Sequence, residues 1–168
     1  MKKLAACLLV GTGIVSASLL FSEEFQKENK QPSLLSVGVG VFGFDKPKAH
    51  PLFQLQYMFS AEYYTIRPIV GILATTRGSV YGYGGMAFDF RIGKHVAIVP
   101  SFAPGIYIQG HGKNLGFPIE FRSCLELAYR FNNEGRLSAQ IYHMSNASLS
   151  HRNPGANSIV LCYSFPIY

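Results

Sequence analysis

An all-β fold, an eight-stranded antiparallel up-and-down transmembrane β-barrel, is what this sequence predicts, and three observations predict it. Apolar residues recur with period two along the chain from residue 34 onward. The alternating stretches run to about 9 to 12 residues, the length of a tilted membrane-spanning strand rather than the roughly 5 or 6 of a soluble sandwich. Eight such stretches can be counted, the even number that an up-and-down barrel in an outer membrane uses.

The chain begins with Lys2 and Lys3, an apolar run from Leu4 to Val15, and small residues at Ser16, Ala17 and Ser18. That is the layout of a secretory signal peptide, so residues 1–18 are excluded from the fold. Leu4-Ala5-Ala6-Cys7 matches the pattern before a lipidated cysteine, but only six residues precede Cys7, too few for a charged region plus an apolar stretch. A retained anchor is disfavoured because the run to Leu20 and Phe21 barely reaches a bilayer-spanning length. Residues 19–33 read as a polar, charged linker and 34–168 as the barrel domain.

Strands are expected near 34–43, 52–60, 63–74, 78–91, 95–108, 118–131, 136–146 and 157–167. The alternation is plain in Leu35, Val37, Val39 and Val41 against Ser36, Gly38 and Gly40, and in Phe53, Leu55, Tyr57 and Phe59 against Gln54 and Gln56. No segment has the 3.6-residue apolar period of an amphipathic helix. Short connections at Ala61-Glu62, Ile92-Gly93-Lys94 and Asn132-Asn133-Glu134-Gly135 are expected to face the periplasm with the N-terminus, and the longer segments 109–117 and 147–156 the outside. Phe and Tyr supply all of the 14% aromatic content, enough for interfacial girdles, and Tyr168 ends the chain as the terminal aromatic of outer-membrane barrels does. Pro68, Pro100 and Pro104 fall within expected strands although each lacks a ladder donor, so bulges or shifted boundaries are expected there.

The formal charge of +6 is compatible with nucleic acid or an anionic membrane, but an exported chain with its basic residues scattered singly favours the membrane. Cys124 and Cys162 remain after signal removal; two small apolar strand residues is the reading preferred over a disulfide. Gly38-Val39-Gly40-Val41-Phe42-Gly43 satisfies GxGxxG, but Asp45, Lys46 and Pro47 follow where a nucleotide site needs a helix, so these glycines read as barrel lining. His50, His95, His111, His143 and His151 are too scattered for a metal motif, and Asn146-Ala147-Ser148 as a glycosylation sequon is set aside; no cofactor is expected.

One segment stands apart. Gln140-Ile141-Tyr142-His143-Met144-Ser145-Asn146-Ala147 places His143 and Ser145 two apart, on one face of a strand and about 6.5 Å from each other. An imidazole leaning along the strand spans that gap to a serine hydroxyl, a nucleophile and its base. Leu137, Ala139 and Ile141 share their parity, so the pair faces lipid near the extracellular end, and the substrate implied is a lipid.

His143-Met144-Ser145-Asn146-Ala147 with Asn153-Pro154-Gly155-Ala156-Asn157 resembles the outer-membrane lipid A 3-O-deacylase family of PagL type. Phe121-Arg122-Ser123, Glu126-Leu127-Ala128-Tyr129-Arg130-Phe131 and Tyr163-Ser164-Phe165-Pro166 extend the resemblance over about the C-terminal third. It implies a metal-free serine esterase in the bacterial outer membrane that hydrolyses the ester-linked 3-hydroxyacyl chain of lipid A. Ser145 is then the nucleophile, His143 its base, and Asn146 or the backbone N–H groups beside it the oxyanion donor. The family pattern has glutamate as third member fourteen residues beyond the histidine; here that position is Asn157, an amide that can orient the imidazole but cannot stabilise imidazolium by charge. Arg152, His151 and Lys113 in the long loops are candidates for the lipid A phosphates. The partners implied are lipid A or lipopolysaccharide in the outer membrane and no nucleic acid, and pairing of two copies as a homodimer is compatible with such a barrel.

Two rivals stand beside this reading. A non-catalytic outer-membrane barrel, structural or host-interacting, is distinguished by Asn157 at the third position. A soluble barrel holding a lipid inside is opposed by Gln54, Gln56, Arg122, Glu126 and Arg130, which make the lumen polar.

Overall fold

The computed structural model describes residues 31–45, 49–60 and 65–168. The proposed signal peptide, most of the linker and the turn at Ala61-Glu62 lie outside these residues. Residues Pro32–Tyr168 contain strands β1 (Ser33–Phe42), β2 (His50–Met58), β3 (Ile66–Thr75), β4 (Val80–Phe88), β5 (Phe90–Ile92), β6 (Val96–Ile108), β7 (Ile119–Arg130), β8 (Arg136–Ser145) and β9 (Ala156–Ile167). β1 pairs with β9, and β4 and β5 both pair with β6, so the antiparallel sheet closes on itself. β4 and β5 are two parts of one wall strand, which makes the barrel eight-stranded. Closure removes every sheet edge, the condition under which a β-structure can sit in hydrocarbon without unpaired backbone groups.

The prolines explain why the fourth strand is broken where the sequence led us to expect continuity from 78 to 91. Pro100 and Pro104 stay in register with Leu125 and Phe121 of β7. On the other side of β6 the ladder lapses beside Pro104, between Tyr83↔Gly105 and Met86↔Phe102, and again beside Pro100, between Ala87↔Ser101 and Phe90↔Ile98. The offset is unchanged across both gaps, so these are missing rungs and not the expected bulges: each proline lacks the donor that its neighbour would have accepted. At the second gap Asp89 turns its N–H to Thr65 O at 2.7 Å instead. Pro68 is accommodated within β3, opposite Met86, with its carbonyl accepting from Phe59 N–H at 3.0 Å.

The period-two pattern sorts side chains as the sequence implies. Val37, Val39, Phe53, Leu55, Ile72, Leu125, Leu127, Ile159 and Leu161 are exposed on the outer wall, whereas Gln54, Gln56, Arg67, Arg122, Glu126, Arg136 and Gln140 are buried inside it. The inner core is a hydrogen-bonded network. Gln140 Oε1 accepts from Gln54 Nε2 at 2.9 Å and Arg122 Nη2 at 2.8 Å, and its Nε2 donates to Glu126 Oε2 at 2.8 Å. The Arg122 guanidinium lies 5.0 Å from the centre of the Tyr83 ring and 4.4 Å from that of Tyr142, a cation held between two aromatic rings. Nearer the end at which β1 begins, Asp89 receives Arg136 through both oxygens at 3.1 and 2.6 Å and Arg67 at 3.0 Å.

Gly38 and Gly40 do line the lumen, and at Gly40 a Cβ would stand 2.1 Å from Ile159 O, so β1 can lie this close to β9 only as glycine. The short connections at 93–95 and 131–135 share one end with the start of β1, and the long segments 109–118 and 146–155 lie at the other. The expectation that every short turn shares the first end fails at 76–79, a tight turn among the loops in which Gly78 N–H donates to Thr75 O at 2.9 Å. Tyr129 with Phe131, and Tyr163 with Phe165, pack edge-on at the short-turn end, the girdle that Phe and Tyr were expected to form. Cys124 and Cys162 are buried and unbonded, on β7 and β9 with β8 between them.

The Asp89 cluster is the point at which charge is most deeply enclosed. Asp89→Ala leaves two buried guanidinium groups without their counter-ion, and we expect it to lower the unfolding free energy by about 3–5 kcal/mol, read from urea unfolding in detergent micelles. A loss below about 1 kcal/mol would contradict the importance given to this cluster.

Candidate active site

β8 carries Leu137, Ala139, Ile141, His143 and Ser145 on its outer face, as its alternating burial shows. β7 and β9 flank it in continuous register, which sets Asn157 directly opposite His143 on one side and Ser123 opposite it on the other. The geometry bears on each residue singled out from the sequence. His143 is exposed on the outer wall, Ser145 is half-buried two positions nearer the loops, and Asn157 is half-buried beside the imidazole. His143 Nδ1 and Asn157 Oδ1 are 2.7 Å apart, a hydrogen bond in which the ring donates and the amide oxygen accepts. This fixes the proton on Nδ1 and leaves Nε2 as an acceptor. Among the described residues no hydrogen bond joins the ring to Ser145; resting hydrolase sites are often longer here than in the loaded state.

Gly155 is the residue whose importance the sequence motif did not disclose. The register that pairs Met144 with Ala156 brings it level with Ser145. A Cβ at Gly155 would lie 2.8 Å from His143 Cε1 and 3.2 Å from Nε2. Its φ of 54° also belongs to the left-handed region. Glycine therefore leaves the basic edge of the imidazole uncovered, next to the serine.

The loops above the site are stitched together by Asn146. Its side chain is fully buried: Nδ2 donates to Leu115 O at 3.1 Å and Arg152 O at 2.8 Å, and Oδ1 accepts from Ser148 N–H at 3.1 Å. Its backbone N–H donates to Asn153 Oδ1 at 3.1 Å. The amide that the sequence offered as an oxyanion donor is thus engaged in holding 109–118 against 146–155. Ala147 and Ser148, directly after it, adopt φ of 49° and 65°, and the Ala147 N–H has no acceptor among the described residues. Two successive non-glycine residues in the left-handed region mark a strained turn beside the candidate nucleophile.

Lys113 and Arg152 both reach this loop cluster. The Lys113 ammonium donates to the Gly155 carbonyl, and the Arg152 side chain is exposed at the rim, as is His151. Neither Glu120 nor Glu126 joins the site: both are buried on the lumen side of β7. Among the described residues no group of His, Cys, Asp and Glu is arranged to hold a metal ion.

Comparison with known proteins bears on both fold and site. The family model described as lipid A 3-O-deacylase (PagL) matches residues 48–166, most of the chain and all of the site residues named above. Among solved structures, the one described as the crystal structure of the outer membrane enzyme PagL is similar at 21% identity and a TM-score of 0.67, over 80% of this chain and 99% of that one. A de novo designed transmembrane β-barrel is similar at 10% identity and a TM-score of 0.59, over 82% and 96%. At these identities the structural likeness speaks to fold alone. No curated protein matches the chain.

Removing the Asn146 side chain deletes one hydrogen bond to the loop 109–118 and two within 146–155, with little loss of apolar contact. We expect Asn146→Ala to raise the rate of proteolytic nicking within 146–155 at least about tenfold while the strands stay intact. An unchanged rate would mean that the loops are held by something else.

Proposed function

The chain belongs to the lipid A 3-O-deacylase (PagL) family, and on that footing we propose that Ser145, His143 and Asn157 are its working residues. The activity is hydrolysis of the ester-linked acyl chain at position 3 of lipid A in the outer membrane. The observation that carries the residue assignment is the His143–Asn157 hydrogen bond on an outer wall made mostly of apolar side chains.

The chemistry follows from the tautomer. With Nδ1–H committed to Asn157, the Nε2 lone pair takes the proton of Ser145 as its Oγ attacks the ester carbonyl carbon. The carbonyl oxygen becomes an oxyanion, and the Ala147 N–H, two residues beyond Ser145, is the donor we assign to it; Asn146 acts by holding that turn. Collapse breaks the bond to the sugar oxygen, which takes the proton from His143, and water then releases the fatty acid by the same steps in reverse order. The substrate is an amphiphile lying in the outer leaflet. A site on the outer wall near the loops meets its ester without drawing the lipid out of the membrane. Lys113 and Arg152 at the rim are assigned to its phosphates as cationic donors.

Asn157 orients the ring as a carboxylate would, but adds no charge when the imidazole is protonated. A charge-assisted hydrogen bond is roughly twice as strong as a neutral one, so Asn157→Glu should raise turnover by about tenfold. Mass spectrometry of lipid A from a lipopolysaccharide-bearing strain expressing each form provides the check. The native chain should remove one 3-hydroxyacyl mass, Asn157→Glu should remove it faster, and Ser145→Ala at equal membrane abundance should leave lipid A intact. Cleavage that survives Ser145→Ala would displace the serine from its role.

A further inference from the structure

At the short-turn end of the lumen, positive charge outweighs the carboxylates that face it. Arg67 and Arg136 share Asp89. Arg130 and Arg91 share Glu134 less evenly: Arg130 Nη2 donates to Glu134 Oε2 at 3.0 Å, whereas Arg91 Nη2 stands 4.0 Å from the same oxygen, beyond hydrogen-bond range. Glu126, the next carboxylate along the lumen, accepts from Gln140. Even with Glu126 counted, four guanidinium groups meet three carboxylates among the described residues, an excess of one positive charge.

The register sharpens the crowding. Arg130 is paired directly with Arg136 across β7 and β8, and like charges placed opposite one another in a sheet repel. Both side chains are more than nine-tenths buried. Asp89 takes Arg136 through Nη1 and Nη2, and Glu134 takes Arg130 through Nη2, so each keeps its Nε–H. The Nε groups of Arg91, Arg130 and Arg136 are all enclosed, and none has an acceptor among the described residues. An enclosed donor without an acceptor is costly, and more so on a cation, so three in one place call for an anionic acceptor.

The place and the charge identify that acceptor. Arg91 opens the cluster to water: its side chain is 26% exposed, on β5 beside the turn 93–95. Tyr129 with Phe131 and Tyr163 with Phe165 gird the wall at this end, and such aromatic belts mark the level of the lipid headgroups. In an outer membrane the short turns face the periplasm, so this is the headgroup layer of the inner leaflet, where the oxyanion of phospholipids is a phosphodiester. A phosphate monoanion carries one negative charge and offers several acceptor oxygens to neighbouring guanidinium donors.

We propose that Arg91, Arg130 and Arg136 form a phosphate-binding site at the short-turn mouth of the lumen, at the opposite end of the barrel from Ser145. The ligand is a phosphate oxyanion, whether the headgroup of an inner-leaflet phospholipid or free phosphate. Seated there it lies between Arg130 and Arg136, accepts from the Nε donors and ties down β5, which among the described residues is paired with β6 alone. The site stands independently of the hydrolase reading.

The test uses the full chain folded in nonionic maltoside micelles free of phosphate, with the unfolding midpoint read from heat-modified gel mobility. Sodium phosphate and a short-chain phosphatidylglycerol are added separately, against sodium chloride at equal ionic strength. At millimolar concentration at least one of them should raise the native midpoint by about 3 °C or more. A rise with sodium phosphate identifies the soluble ion as a sufficient ligand, and a rise with phosphatidylglycerol alone identifies the lipid headgroup. Arg91→Gln and Arg130→Gln should each lose most of the shift, while Lys94→Gln, which removes an exposed charge on the adjoining turn, should keep it. No shift of the native midpoint with either probe would overturn the proposal without recourse to any variant. So would a shift that persists in both arginine variants, or one that Lys94→Gln abolishes as well.

Discussion

Hydrocarbon offers no hydrogen bond to a backbone, and that single constraint governs this molecule. Apart from the rungs lost beside Pro100 and Pro104, strand N–H and C=O groups pair across the sheet, so β1 closes onto β9 and the interrupted strand β4–β5 closes onto β6. Once closed, the pleat leaves each side chain only two destinations, lumen or lipid. His143, Ser145 and Asn157 are consequently not a pocket in the usual sense. They are a polar island on an apolar wall, brought together by register across two strands and open to the membrane from the side.

The same constraint divides the sources of stability. The outer wall gains from lipid, while the lumen is held by polar pairing: Gln140 bridges Gln54, Arg122 and Glu126, and Asp89 neutralises Arg67 and Arg136. Because the stabilising network is inside, the outside is free to vary in chemistry. His143, Ser145 and Asn157 sit on the outer wall and leave the lumen network untouched. The one place where site and scaffold meet is the loop end, where Asn146 and Lys113 bind 146–155 to the neighbouring loop, 109–118.

Much of this was legible in the sequence, because parity is written directly in the residue order. Leu137, Ala139 and Ile141 were enough to place His143 and Ser145 on the lipid side, and Ile159 and Leu161 did the same for Asn157. The polar lumen could be read from Gln54, Gln56, Arg122, Glu126 and Arg130 in the same way. What lay beyond reach depended on partners across strands. The break at Asp89 is caused by a proline on β6, in another strand and some ten residues further along the chain. Asn146 looked like a catalytic donor beside Ser145, but its side chain has the opposite parity and is tied to Leu115 and Arg152. Gly155 was visible only as a letter in a motif until the register set it level with Ser145.

The central claim is that a nucleophilic serine is activated on the lipid-facing wall, and covalent trapping tests it most directly. The native chain in bilayers would be treated with an alkyl fluorophosphonate bearing either a long or a very short chain, and the modified residue located by peptide mass spectrometry. Phosphonylation of Ser145, faster with the membrane-partitioning reagent and lost in His143→Ala, is the expected result. No modification of Ser145, or modification by the water-soluble reagent alone, would contradict it.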